Sequence, residues 1–169
     1  MTWAGLYPWL LVGHVLCVLA FMAIHGVSMG VWWQVRRERD RAKQIPLLDL
    51  SVAFIIPMSI AGLLLIVSGI LVGIAAGWWF NGQWWLWVSI VLLVVIVAVM
   101  TPLVAIPMSN MRRGLGMPSQ ADIKSGTTPN PVDDAALELL LSDRRPLIGA
   151  TVAIGGIVLI TWLMESKPF

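Results

Sequence analysis

An all-α fold, an integral membrane four-helix bundle, is what this sequence predicts, and three observations carry the prediction. Of 169 residues, 59% are hydrophobic and 12% charged. Soluble domains average roughly 25% charged residues, so this chain has too little polar surface to coat a globule in water. Four apolar runs are long enough to cross a hydrocarbon layer of about 30 Å. Ten of the eleven Lys and Arg residues fall in two stretches, Arg36–Lys43 and Arg112–Arg145, as expected of loops held on the cytoplasmic face.

Taken in order, the first span is expected over 8–35. Pro8 suits the first helical turn, where a missing N–H costs nothing. Trp9 and Trp32–Trp33 mark the two interfaces, and Arg36, Arg37, Arg39, Arg41 and Lys43 stop the helix. Residues 1–30 have no positive leading segment, and the apolar character continues to Trp33, so the run reads as a retained helix and not a cleaved signal. Pro46 is expected to break the chain. The second span follows over 51–79, capped by Asp49. Gly69, Gly73 and Gly77 form a doubled GxxxG ridge that admits another helix. Phe80-Asn81-Gly82-Gln83 is a tight uncharged turn. The third span covers 84–108 and is stopped by Arg112 and Arg113. Gly and Pro punctuate 114–131, which reads as loop. A short amphipathic helix then begins near Pro131, with Asp133 and Asp134 in its first turn. Its Leu137, Leu140 and Leu141 share one face, expected to lie on the inner membrane surface. The fourth span is 146–164. The whole chain, 1–169, forms one domain with both termini outside, placed in the cell's inner (cytoplasmic) membrane.

Several function classes drop out. The net charge is only +2 despite a pI near 9.1, and the cations flank membrane spans, so no nucleic acid partner is implied. Cys17, the single cysteine, has no partner for an intrachain disulfide. HExxH, CxxC, GxSxG and P-loop patterns are absent, which removes the usual support for hydrolases, metalloproteases and nucleotidases. The reading points away from an enzyme.

The candidate functional residues are few. His14 and His25 stand eleven residues apart on the first span. That puts them within about 20° on one helix face and about 16 Å apart along the axis. An ionisable group inside a span is a functional hypothesis by default. Counting inward from the basic loops places His25, Ser59, Thr101 and Gly156 at one depth. Pro57 and Pro102 border that layer and free the carbonyls of Ala53 and Ala98. A polar cavity built around His25, Ser28, Ser59 and Thr101 is therefore expected. Beside it stands a plainer reading, in which each hydroxyl bonds back to its own helix and each histidine to a carbonyl. The sharper reading is haem b held by His14 and His25, since imidazole ligates haem iron and copper. A second axial ligand would come from Met58, Met100 or Met164, or from another subunit.

The segment His14-Val-Leu-Cys-Val-Leu-Ala-Phe-Met-Ala-Ile-His25-Gly-Val-Ser, running into Arg36-Arg-Glu-Arg-Asp40, resembles predicted integral membrane proteins of the CopD-like superfamily. Met111-Arg-Arg-Gly-Leu-Gly116 and the closing stretch from Trp162 are similar too. The resemblance implies a multi-pass helical fold of an uncharacterised branch. Other branches are implicated in copper handling and in haem-dependent porphyrin oxidation, with a first-helix histidine that maps to His14 or His25. The further histidines of a copper transporter are missing.

The leading expectation is a structural or accessory subunit of a larger membrane complex, packed against membrane lipids and partner subunits or further copies of itself. The alternative is a haem-b-binding redox or porphyrin-handling protein using His14 and His25. No other cofactor and no metal is expected.

Overall fold

The structure, a computed structural model, describes residues 3–80 and 82–168. Among them every regular element is helical: α1 (Trp3–Arg37), α2 (Arg41–Ala53), α3 (Ile55–Ala75), a 3₁₀ turn (Trp78–Phe80), α4 (Trp84–Met100), a π turn (Thr101–Ala105), α5 (Ile106–Gly114), α6 (Gln120–Ser125), α7 (Asp134–Ser142) and α8 (Arg145–Ser166). Four stretches, Gly5–Arg37, Arg41–Ala75, Trp84–Gly114 and Asp134–Ser166, are long and apolar enough to cross a membrane.

The prolines act differently from expectation. Pro8 lies inside α1, because the helix already runs from Trp3. Pro46 does not break the chain; it sits within α2, which starts where Asp40 accepts the Ala42 N–H. Burial of Gln44, Leu48 and Ser51 on one face of α2 outweighs the one helical bond that Pro46 forfeits. The break falls at Phe54, whose N–H reaches the Ser51 carbonyl at 3.3 Å. Three residues later Pro57 occupies the first turn of α3, where no N–H is needed. The expected third span is interrupted too. Pro102 lies in a π turn in which the Ile106 N–H bonds to the Thr101 carbonyl, Pro107 lies just beyond it, and the helix then continues past Met108 to Gly114. A wider turn absorbs the two missing donors.

Within the bundle, α1 packs along α3 and α4 along α8. Small residues set both contacts. At Gly69 an added Cβ would come within 3.2 Å of the His14 ring, and at Gly62 within 3.5 Å of Phe21. On α8, Gly149 lies under Val104 and Leu103, and Gly156 under Ile96. Only Gly69 of the expected ridge serves a neighbouring helix. Gly73 instead receives the Trp79 ring, and Gly77 turns the chain at φ +69°.

The two helix pairs meet chiefly at their ends. At the charged end Val31, Val35, Leu48, Met111, Leu115, Met117, Leu137 and Leu141 form a buried cluster. The α7 leucine face packs on protein, with Leu137 and Leu141 in this cluster and Leu140 set against Gly114. At the opposite end Trp78 stacks edge-on against Tyr7 and Trp85, with centroids 6.1 and 5.1 Å apart. Lys167 caps the group, its ammonium 4.7 Å from the Trp78 ring. The two ends of the described chain thus share one pole with the tryptophan-rich turn, of which Asn81 lies outside the described residues. Between the poles most side chains face outward.

Glycine packing makes a direct prediction. Gly149→Val should lower stability by about 1–3 kcal/mol, because the branched side chain meets Val104 and Leu103. Gly155→Ala, where a Cβ meets nothing within 4 Å, should leave the melting temperature in detergent unchanged. Equal melting of the two variants would rule out this packing.

Candidate functional site

The candidate residues separate in the structure. His14 faces α3, and its Nδ1 lies 2.9 Å from the Ser68 hydroxyl. Ser68 has one proton and donates it to the Leu65 carbonyl at 3.1 Å. The assignment that satisfies all three groups has His14 carrying its proton on Nδ1 and donating to Ser68. Its Nε2 then presents a lone pair. This is how a metal-ligating imidazole is held, with the far nitrogen anchored to a polar partner.

His25 is half-buried and stacks on Phe21, with centroids 6.0 Å apart and planes 13° apart. Its Nδ1 is buried with no hydrogen-bond partner, as is the Nε1 of Trp32 two turns further along α1. Ser59 is exposed and donates back to the Ile55 carbonyl at 2.8 Å. Thr101 is exposed at the start of the π turn, and Ser28 is half-buried on α1. Among the described residues no hydrogen bond links His25, Ser28, Ser59 and Thr101. The space beside α1 and α3 at this depth is an open groove of about 510 Å³, lined by Cys17, Ala20, Ile24, Pro57, Ala61 and Leu64 among others. Neither histidine lines it. No three His, Cys, Asp or Glu side chains gather as a metal-ligand set among the described residues.

Polar chemistry concentrates at the charged end. Arg39 pairs with Glu138. Arg41 reaches Asp134 at 2.7 Å and the Val132 carbonyl at 2.8 Å. Asp49 does not cap a helix; it lies inside α2 and accepts both terminal nitrogens of Arg112, at 3.1 and 3.2 Å. Arg112 also donates to the Leu48 carbonyl. These contacts hold the two basic stretches side by side at one pole. The 114–131 segment, expected as loop, contains α6, opened by a reciprocal cap between Ser119 and Asp122 and closed by Gly126 at φ +67°. The Ser-x-x-Asp spacing is visible in the sequence and was the available signal. Hydrogen bonds from the Ser119 hydroxyl and backbone N–H, then the charge of Arg113, hold the Asp122 carboxyl below the usual carboxylate range.

Compared with known protein families, curated proteins and solved structures, the chain matches none.

The α6 cap sets a pH dependence. Because the folded Asp122 carboxyl titrates below its unfolded value, its contribution is present above the ordinary carboxylate pKa of about 3.9. It is lost as pH falls through the lower folded value. Amide-exchange protection over 120–126 should therefore be flat from pH 7 to about 4 and fall below that, and the Asp122→Asn variant should lack the response. Protection that stays constant down to pH 2.5 in the native chain contradicts the assignment.

Proposed function

We propose that this chain is a structural or accessory subunit of a larger membrane assembly, built with partner subunits or with further copies of itself. In this reading it resides in the cell's inner membrane, with both basic stretches in the cytoplasm and both termini outside, in keeping with the positive-inside rule. Membership of the CopD-like superfamily belongs to the same proposal.

One observation supports the reading above the others. Gly26 and Gly30 of α1 form a small-xxx-small pair, and an added Cβ at either meets nothing within 4 Å. Small residues at this spacing let helix backbones approach closely in lipid. The glycines that pack α1, α3, α4 and α8 together each face a side chain, whereas this pair faces open space.

The second reading, a haem-b-binding protein, is favoured by the His14 geometry. The bond to Ser68 leaves Nε2 as a ligand atom. When bound, haem would supply one-electron or porphyrin chemistry. His14 would hold the group through Nε2, and a methionine or another subunit would supply a further ligand.

Two measurements separate these readings. Gly26→Ile with Gly30→Ile should leave the fold intact while reducing the native mass of the complex extracted in mild detergent; an unchanged assembly counts against the subunit reading. Protein purified with its neighbours should show a Soret band under the haem reading, lost in His14→Leu and shifted in Ser68→Ala. A flat Soret region in that preparation removes haem.

A further inference from the structure

The charged end carries more guanidinium groups than its carboxylates engage. Arg39, Arg41, Lys43, Arg112, Arg113 and Arg145 each pair with an acid. Among the described residues Arg36, Arg37 and Arg144 take part in no ion pair and no side-chain hydrogen bond. Two of these three are nonetheless held in place. Arg36 lies over the Trp32 ring at 4.9 Å, and Arg37 over the Trp33 ring at 5.1 Å. A cation held over an indole face engages no carboxylate, and the N–H donors of a guanidinium form a fork that matches a phosphate.

Arg144 opens α8. Val35, next to Arg36, and Leu141, just before Arg144, share one buried cluster, which places the end of α1 near this turn. The hydrogen bonds of Asp143 go to Arg145 and not to Arg36: both its oxygens accept from the backbone N–H and guanidinium of Arg145 at 2.7–3.2 Å. The surface next to these cations is apolar. Trp33, Leu147 and Ile148 are 44%, 41% and 51% exposed, and all lie within a turn of the free arginines in sequence.

We propose that Arg36, Arg37 and Arg144 form a headgroup site for an anionic phospholipid of the adjoining leaflet, its acyl chains lying along Trp33, Leu147 and Ile148. Charge complementarity selects the anion. The exposed apolar side chains beside the cations select a lipid over free phosphate, which has nothing to place against them. The site is separate from the histidines and does not depend on the subunit or haem readings.

The test uses the full chain in detergent micelles, titrated with phosphatidylglycerol or phosphatidylcholine and followed by native mass spectrometry. Native protein should prefer phosphatidylglycerol by tenfold or more. Each arginine is expected to contribute about fivefold, so R36Q/R37Q/R144Q should lose most of the preference. The double variant R39Q/E138Q, which removes a paired cation with its acid, should keep it. Excess inorganic phosphate should not displace the lipid. Equal retention of the two lipids, an unchanged preference in the triple variant, or displacement by phosphate overturns the proposal. Should the triple variant fold poorly, R144Q alone decides: Arg144 is exposed, a fivefold loss supports the site, and an unchanged affinity overturns it.

Discussion

Lipid gives an apolar side chain much the same surroundings as a protein interior, and the architecture follows from that equivalence. In water, burial of apolar surface would draw the four spans together along their length. In a bilayer that force is missing, and helices associate by close packing and polar contacts. The spans here touch in two pairs, α1 with α3 and α4 with α8. Each contact is set where a glycine lets a ring or a branched side chain approach, such as His14 on Gly69 or Val104 on Gly149. Elsewhere along the spans, Val, Leu and Ile side chains point into the surroundings.

The poles therefore carry the joining of the two pairs. At one pole an apolar cluster from α1, α2, α5 and α7 is ringed by arginine–carboxylate pairs that run between distant parts of the chain. Such pairs contribute little when exposed. Arg112 is only 14% exposed and also holds a backbone carbonyl, so it does more to fix α2 against α5 than its exposed neighbours do. At the other pole the joining is aromatic, with Trp85 almost wholly buried and its N–H bonded to Gln83.

The spans and the shared pole of the basic stretches were legible because composition and charge placement act over many residues. Individual prolines were not. Whether Pro46 or Pro57 ends a helix depends on what the helix buries, and Leu48 and Gln44 decide it in favour of continuation. Asp49 looked like a cap because its partner Arg112 is sixty-three residues away. Ser68 was missed because a serine in an apolar run ordinarily does no more than bond back to its own helix, as Ser59 does; Ser68 bonds back to Leu65 and also meets His14. Depth would have found it. His14 lies twenty-two residues from Arg36 and Ser68 nineteen from Asp49, a difference of about 4.5 Å along a helix.

The two interruptions, at Phe54 and at Thr101–Ala105, sit on different helix pairs and both lie toward the charged pole. Everything on the polar side of them is tied down by ion pairs and the apolar cluster; the longer apolar arms beyond them are held mainly by glycine contacts. A bilayer thinner than the arms can then be met by leaning α3 and α4 at these joints while the base stays level. Hydrophobic mismatch is ordinarily absorbed by tilting or bending a helix, and here an interruption of the regular helix is already built into two of the four spans.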